Sequence, residues 1–384
     1  MSRSLLRSVG LGLLLTGLVA GCSSAAEPAG APAPSSGPTV TAPTATVPAP
    51  GPTGAPRVLA SGLEVPWGIA FLPPEMSAGG TSIGAAQALV TERESARILR
   101  VTPSGQVTPV GTVEGVNATG EGGLLGIAVS PRFATDRTVY VSYTSSSDNR
   151  VVALPVAADG TVDGSAQRTV VDGLGSGAIH NGGGLAFGPD GMLWIGTGEA
   201  GQRARAQDPD DPSGKVLRVT PEGRPAPGNP NGSIVHSTGH RNVQGIAFVD
   251  GRVYASEYGA STADELNLLD PGNYGWPDVE GVGNRPGFVD PLVTWPTDDA
   301  SPSGLAAAGG SLWMSALRGE TVWRIPLGAD GAVGTPVRTI EGFGRIRAVV
   351  ATPDGSALWV TTSNRDGRGS PGPDDDRILV VPLR

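Results

Sequence analysis

The stretch that predicts the fold runs from residue 180 to residue 199 and reads HNGGGLAFGPDGMLWIGTGE. Two short apolar runs, Leu185–Phe187 and Met192–Ile195, flank a Gly-Pro-Asp-Gly turn. Turn residues of this kind between two apolar runs are typical of a β-hairpin. Because an antiparallel hairpin starts and finishes at the same end, we expect His180 and Glu199 to lie side by side at one rim of the fold.

The same pattern occurs six times along the chain, which predicts a repeat architecture. The copies begin at Trp67, Leu125, Leu185, Gly245, Gly304 and Ala348. Their spacing of roughly 45–60 residues is in the range of propeller blades. Most copies continue into a third strand and several into a fourth, and Arg57–Ala60 resembles a fourth strand with no blade before it. We therefore predict an all-β fold over residues 57–384, a six-bladed β-propeller with four-stranded antiparallel blades, whose ring is closed by this N-terminal strand.

The N-terminus predicts export. Arg3 and Arg7 precede the apolar run Val9–Ala20, which ends just before Cys22, the single cysteine of the sequence. A basic start followed by a short apolar run and small residues indicates a secretory signal, and the run is too short for a comfortable membrane span. Its resemblance to the bacterial lipobox implies cleavage before Cys22 and diacylglycerol on its sulfur; an ordinary signal with a chance cysteine is the alternative. We predict a signal peptide at residues 1–21 and a lipid anchor at the outer face of the bacterial cell membrane.

Residues 22–56 predict a tether between this anchor and the propeller. After Cys22 the segment is rich in Ala, Pro, Ser, Thr and Gly and lacks apolar periodicity, which favours disorder. The chain carries a formal net charge of −9, without a basic stripe interleaved with aromatic residues. A nucleic acid is therefore not an expected partner, and the membrane is contacted through the lipid anchor alone.

The repeat also predicts which polar residues meet. Residues just before first strands and just after second strands collect on one face of the ring; they include Glu121, His180, Glu199, Arg241, Asn242, Tyr258, Arg318, Arg345 and Arg347. Arg345 and Arg347 alternate along the chain, so both guanidinium groups can point the same way. With Arg241 they predict a cationic patch suited to a planar ligand that carries carboxylates or quinone-like oxygens. Structural ion pairs that clamp the blades together are the alternative.

Two candidate sites have competing interpretations. His180 can act as a general base oriented by Glu199, or it can simply bond a loop backbone. Gly259 and Ala260 lie in a loop with carboxylates and exposed carbonyls, which suits a hard cation such as calcium, although a plain connecting loop has the same composition. With three histidines and no available cysteine, zinc is poorly supported.

Seven motifs, taken in order, resemble the glucose/sorbosone dehydrogenase family, the soluble aldose sugar dehydrogenases that use pyrroloquinoline quinone (PQQ). They are the EGGLLG sequence at residues 121–126, the hairpin at 180–199, GHRNVQG at 239–245, DELN at 264–267, NYGWP at 273–277, LRG at 317–319 and RIR at 345–347. The resemblance covers nearly the whole chain from about Pro66. It implies a six-bladed propeller, in agreement with the repeat count.

The resemblance also implies roles for individual residues. His180 would take the proton from the anomeric hydroxyl of a sugar while hydride passes to the quinone, and Glu199 would support that histidine. Glu121 would lie on the substrate side. The carbonyls of Gly259 and Ala260 would bind calcium. The positions that would hold PQQ are Arg241, Asn242, Tyr258, Arg345 and Arg347. Leu317 stands where the family has a lysine that contacts PQQ, and the neighbouring Arg318 would take over that contact.

Together these observations predict a PQQ-dependent oxidation of an aldose or related sugar at its anomeric carbon, with electrons passed to an external acceptor. One alternative is a catalytically silent propeller of the cell envelope that binds a carbohydrate or protein partner. Another is calcium-assisted hydrolysis of a lactone or ester; the sequence has no Gly-x-Ser-x-Gly elbow for a serine mechanism.

Overall fold

The computed structural model describes residues 37–41, 51–73 and 87–383. In this part of the chain, six antiparallel sheets form a six-bladed β-propeller, as the repeat predicted. Two strands, β1 (Thr39–Val40) and β2 (Arg57–Ala60), precede the first complete blade.

Each complete blade follows the chain from one strand to the next. Blade 1 contains β3 (Pro66–Phe71), β4 (Ala88–Glu92), β5 (Arg97–Val101) and β6 (Val107–Thr112). Blade 2 contains β7 (Leu124–Val129), β8 (Thr138–Thr144), β9 (Asn149–Pro155) and β10 (Arg168–Leu174), with the short helix α1 (Phe133–Asp136) between β7 and β8. Blade 3 contains β11 (Leu185–Phe187), β12 (Leu193–Gly196), β13 (Val216–Val219) and β14 (Val235–Ser237).

The second half repeats the pattern. Blade 4 contains β15 (Val243–Val249), β16 (Arg252–Glu257), β17 (Asp264–Leu268) and β18 (Val293–Trp295). Blade 5 contains β19 (Pro302–Ala308), β20 (Ser311–Ala316), β21 (Thr321–Pro326) and β22 (Val337–Glu341). Blade 6 contains β23 (Ile346–Ala351), β24 (Ala357–Thr362) and β25 (Ile378–Pro382). Short 3₁₀ turns occupy Arg203–Ala206 and Pro230–Gly232.

The ring closes as predicted. Strand β2 pairs with β25, with Arg57 opposite Val380, so the first and last parts of the propeller share blade 6. The innermost strands β3, β7, β11, β15, β19 and β23 each contact the next one around the ring, and β23 contacts β3. Closure pairs β25 with β2, so the N-terminal and C-terminal parts of the propeller are joined by backbone hydrogen bonds in one sheet.

The apolar core is divided among the interfaces between neighbouring blades. Six buried clusters are present among the described residues, and each joins side chains of two adjacent blades. Between blades 2 and 3, for example, Val151 packs in the same cluster as Leu193 and Leu217. Every blade contributes to two clusters, so removing a blade would expose the apolar side chains of both clusters to water. The hydrophobic effect therefore holds the six blades together as one unit.

The segment expected to be a disordered tether is ordered at two places, so the prediction is wrong there. Strand β1 adds to the outer edge of blade 4, with Val40 opposite Val293, and the Thr41 amide donates to the Leu292 carbonyl at 3.0 Å. The Thr53 amide donates to the Pro382 carbonyl at 2.9 Å. A free outer strand edge offers unpaired backbone groups that even a short extended segment can satisfy.

The predicted signal peptide and Cys22 lie outside the described residues. Within the described ranges, no helix is long and apolar enough to cross a bilayer.

Candidate active site

A cavity of about 450 Å³ opens at one rim of the ring, where first strands begin and second strands end. It is lined by most of the polar residues that the repeat predicted to meet: Glu121, His180, Arg241, Asn242, Tyr258, Arg318 and Arg347. Gly259 and Ala260, the candidate calcium ligands, also belong to the lining. Residues just before first strands and just after second strands therefore do lie together at one rim, as the repeat predicted. Glu199 and Arg345 are outside this lining.

The hairpin of blade 3 brings His180 and Glu199 together. Strands β11 and β12 pair with Leu185 opposite Ile195, and the Ala200 amide donates to the His180 carbonyl at 3.1 Å. Glu199 is buried behind the histidine and its carboxylate is hydrogen-bonded to His180 Nδ1. A Cβ at Gly198 would lie 1.9 Å from the His180 carbonyl oxygen, so this close approach requires glycine.

This contact defines the chemistry available to the imidazole. A carboxylate on Nδ1 favours the neutral tautomer with its proton on Nδ1, which leaves a lone pair on Nε2. Nε2 of His180 has no hydrogen-bond partner among the described residues, and the side chain lines the cavity. The arrangement can accept a proton from a bound hydroxyl group.

Glu121 lies beside this pair. One carboxylate oxygen accepts the backbone N–H of His180 at 2.9 Å, and the other is 2.7 Å from the Arg368 guanidinium. Burial raises the pKa of Glu121, but the hydrogen bonds from His180 and Arg368 outweigh it and hold the pKa below its ordinary value of 4.5. Glu121 is therefore an ionised acceptor that also fixes the backbone of His180.

This pKa shift predicts a pH-dependent contribution of Glu121 to stability. A carboxyl whose pKa is lowered on folding stabilises the protein above its unfolded pKa, and this stabilisation is lost as the pH falls through the folded pKa. Glu121→Gln should lower the free energy of unfolding by about 1 kcal/mol at neutral pH, since Arg368 is largely exposed. The difference should vanish in acid, once the pH is below the lowered pKa of Glu121 in the folded protein. Urea unfolding at both pH values, with the exposed Glu114→Gln as control, measures this; a difference that persists unchanged in acid would contradict it.

Arg241 and Asn242 are fixed by blades 3 and 4. Asn242 accepts the Gly182 amide on Oδ1 at 2.9 Å, while its Nδ2 group has no hydrogen bond among the described residues. Arg241 donates from Nη1 to the Tyr258 carbonyl at 3.1 Å, and its guanidinium lies 5.4 Å from the Trp276 ring centroid. Both side chains thus present donors at the cavity from well-defined positions.

A buried network supports the loop that carries Arg241. Ser237, His240 and Glu257 are hydrogen-bonded in series, with 2.8 Å from Ser237 Oγ to His240 Nε2 and 2.8 Å from His240 Nδ1 to Glu257. The second oxygen of Glu257 accepts the Arg241 amide. The order resembles that of a serine hydrolase triad, but all three side chains are buried and none lines the 450 Å³ cavity. The network therefore holds Arg241 in place.

Arg347 is a buried cation whose hydrogen-bond partners are neutral side chains. Its Nη1 donates to Gln244 at 2.8 Å and to Ser303 at 3.3 Å, and its guanidinium lies 5.5 Å from the Trp67 ring centroid. Throughout the described ranges, neither Arg347 nor Arg241 forms an ion pair with a carboxylate, and Nε of each is buried without a partner. Burial lowers the pKa of both side chains, yet arginine stays protonated.

The prediction that Arg345 faces the ligand beside Arg347 is not met in this structure. Arg345 donates from Nε and Nη2 to one oxygen of Asp366, both at 2.9 Å, and lies outside the cavity lining. Strand β23 begins only at Ile346, and its pairing with β24 is irregular between Ile346 and Ala348. The regular alternation on which the prediction depended is therefore interrupted.

The remaining predicted residues differ in exposure. Arg318 lines the cavity mouth, is 60% exposed and pairs with Asp298 at 2.7 Å. Leu317 is buried and outside the lining. Burial raises the pKa of Tyr258 to about 12, with Arg347 and Arg345 opposing the shift, so its hydroxyl is neutral at physiological pH.

The described residues contain no group of three or more His, Cys, Asp or Glu side chains arranged to hold a metal ion. Backbone carbonyls offer another set of hard oxygen ligands. Gly259 and Ala260 line the cavity, and within the described ranges no hydrogen bond to either carbonyl oxygen is present. Two unpaired carbonyls at the cavity wall fit part of the oxygen ligand set of a hard cation such as calcium.

Several lining residues were missed from the sequence. Gln244 lies within the GHRNVQG motif but received no role, and Asp366 and Arg368 come from the loop after β24. Extending the rule about residues after second strands by a few positions would have found the latter two. Trp67 was recognised as the start of a first strand, and its ring contact with Arg347 was not foreseen.

Comparisons with known proteins agree with this geometry. Residues 63–372 match the sequence model of the family described as Glucose / Sorbosone dehydrogenase. The structure of the PQQ-bound form of an aldose sugar dehydrogenase from Streptomyces coelicolor is 48% identical, covers 88% of this chain and 100% of that chain, and has a TM-score of 0.80.

Two curated proteins are more distant relatives. An aldose sugar dehydrogenase of Escherichia coli (strain K12) is 29% identical over 347 residues, which are 81% of this chain and 90% of that protein. Quinoprotein glucose dehydrogenase B of Acinetobacter calcoaceticus is 33% identical over 240 residues, which are 53% of this chain and 50% of that protein. The chain belongs to the glucose/sorbosone dehydrogenase family.

Proposed function

We propose that this protein is a PQQ-dependent aldose sugar dehydrogenase that oxidises the anomeric carbon of a sugar and passes electrons to an external acceptor. The observation that carries the proposal is a pair of arginines, the partly buried Arg241 and the buried Arg347, which form no ion pair within the described ranges and line the same cavity as His180. Two such cations favour an anionic ligand, and PQQ is a planar quinone with carboxylates. The Streptomyces coelicolor relative, whose structure is of a PQQ-bound form, supports this identity.

Different residues of this chain would bind the cofactor and take the proton from the sugar. Arg241, Arg347 and the free amide of Asn242 would bind the cofactor, with Tyr258 and Arg318 at the edge of the cavity. When bound, the quinone would accept the hydride from the anomeric carbon. His180 Nε2 would take the proton of the anomeric hydroxyl, so that the sugar loses one hydride and one proton and becomes a lactone.

Glu199 and Glu121 would prepare His180 for this step. Glu199 would hold the imidazole tautomer that leaves Nε2 unprotonated and would stabilise the imidazolium after proton transfer. Glu121 would fix the backbone of His180 and offer an ionised acceptor to sugar hydroxyl groups. Ca²⁺ at the carbonyls of Gly259 and Ala260 would add a positive charge next to the cofactor.

Titration of the purified protein with PQQ, followed by tryptophan fluorescence and then by dye reduction with a panel of aldoses, tests the proposal. Trp67 and Trp276 contact Arg347 and Arg241, so PQQ should quench their emission with one cofactor bound per chain. Sugar-dependent dye reduction should appear only with PQQ. If micromolar PQQ does not bind, the silent binding propeller becomes the better explanation.

We propose further that the protein is exported and anchored through a lipid on Cys22. The support is the sequence alone: a basic start, the short apolar run Val9–Ala20 and, after Gly21, the single cysteine Cys22. Cys22→Ser should abolish radiolabelled palmitate incorporation and move the protein from the detergent phase to the aqueous phase in Triton X-114 partitioning. A wild-type protein that takes up no label would contradict the anchor, with a known lipoprotein of the same cells as positive control.

A further inference from the structure

One carboxylate oxygen holds an entire turn of the loop at the candidate calcium site. Glu280 Oε1 accepts four consecutive backbone N–H groups, those of Ala260 at 2.6 Å, Ser261 at 2.8 Å, Thr262 at 3.0 Å and Ala263 at 3.2 Å. We propose that Glu280 is a positioning residue that turns the carbonyls of Gly259 and Ala260 toward the cavity, where they bind a hard cation. This inference rests on the proposed function, because the cation would act next to PQQ.

Peptide geometry links the carboxylate to the carbonyls. In a trans peptide unit the N–H of one residue and the C=O of the residue before it point in opposite directions. The cis peptide bonds of the described chain are elsewhere, at Trp276-Pro277 and Asp375-Asp376. When the amides of Ala260 and Ser261 point at Glu280, the carbonyls of Gly259 and Ala260 must therefore point away from it.

The two carbonyls are unpaired where they meet the cavity. Gly259 and Ala260 belong to its lining, and neither carbonyl oxygen accepts a hydrogen bond within the described ranges. The preceding carbonyl, that of Tyr258, differs because the Arg241 guanidinium already occupies it. Two adjacent free carbonyls at a cavity wall are hard oxygen ligands that lack a partner.

The loop has few other restraints. It connects β16 to β17 without strand pairing of its own; the Gly259 amide bonds Asp264 at 2.8 Å. A Cβ at Gly259 would lie 1.8 Å from the Ala263 carbonyl oxygen, which shows how tightly the turn is wound. Glu280 comes from a different segment, after β17, and does not line the 450 Å³ cavity. It therefore acts on the cation through the loop and not as a ligand.

The test measures how strongly Ca²⁺ tightens PQQ binding, without any turnover. The dissociation constant of PQQ is determined by tryptophan quenching in the full chain, once with a chelator and once with saturating Ca²⁺. We expect Ca²⁺ to tighten PQQ binding by about 10-fold or more in the wild-type protein, within the usual range for coupled sites. Glu280→Ala should reduce this coupling to about twofold or less while leaving the Ca²⁺-free dissociation constant close to that of the wild type.

Two further variants separate positioning from charge and from general loop damage. Glu280→Gln keeps an oxygen acceptor for the four amides but removes the charge, so most of the coupling should remain. Asp290→Ala removes another carboxylate of the same blade that accepts backbone amides, those of Gly283 and Asn284, outside the cavity, and should keep the wild-type coupling. Thermal melts verify that each variant is folded.

Each outcome has a distinct meaning. Coupling that survives in Glu280→Ala, or that is lost equally in Glu280→Gln, overturns the positioning role. A wild-type protein that binds PQQ with no effect of Ca²⁺ also overturns it, while the proposed function stands. Failure of the wild-type protein to bind PQQ at all overturns the proposed function and this inference with it.

Discussion

Replacing His180 by asparagine should lower kcat for sugar oxidation by about 10²- to 10⁴-fold, the usual contribution of a positioned general base. The imidazole is placed for this role by two local features, the Glu199 carboxylate on Nδ1 and the Glu121 carboxylate on the backbone amide. PQQ affinity should change little, because the cations proposed to hold the cofactor come from other blades. The measurement is steady-state dye reduction together with a fluorescence titration of PQQ.

The matched control is His236→Asn. His236 lies on another cavity, between blades 3 and 4, and is outside the lining of the candidate active site. It should leave kcat within about twofold of the wild type, because its ring packs against Trp194 and does not reach the candidate active site. For His180→Asn, a larger primary isotope effect with sugar deuterated at the anomeric carbon would show that the oxidation step has become rate-limiting. A His180→Asn enzyme that keeps its kcat within the same twofold would show that the histidine only supports the loop.

The sequence predicted the parts of this protein that depend on local pattern. The hairpin around residues 180–199 contains both its turn and its two apolar runs, so its geometry and the meeting of His180 with Glu199 follow from a short stretch. Closure by Arg57–Ala60 was also predictable, because the last copy of the repeat has only three strands and the extra N-terminal strand supplies its fourth.

The rest depends on contacts between residues that are far apart in the chain. Arg345 and Arg347 appear equivalent in sequence, yet Asp366 pairs with Arg345 while Gln244 and Ser303 contact Arg347. These partners come from different blades. The N-terminal segment shows the same limit, because the free edge of β18 that Thr39–Val40 occupies exists only in the folded ring. Composition contains no information about such an edge, so it predicted disorder for the two parts of the N-terminal segment that are ordered.

Arg347→Met should greatly weaken PQQ binding without destabilising the apoprotein. Each hydrogen bond to a charged group contributes about 1.5–3 kcal/mol, so the loss of one or two such contacts corresponds to a decrease in affinity of roughly 10- to 10⁴-fold. In the absence of the ligand, Arg347 is a desolvated cation that forms no ion pair with a carboxylate of the described residues, a costly arrangement. Methionine fills a similar space without the charge, so the free energy of unfolding should stay the same or rise by about 1 kcal/mol.

Arg345→Met is the informative comparison. Arg345 is also a buried arginine, but its removal takes from the buried Asp366 carboxylate its ion-pair partner; the two side chains are 9% and 3% exposed. Breaking such a pair costs about 3–5 kcal/mol, so this variant should be clearly destabilised. Urea unfolding of both apoproteins and a PQQ titration of both give the answer. If Arg347→Met is destabilised as much as Arg345→Met, Arg347 is a structural residue and the binding site for an anionic cofactor loses its strongest support.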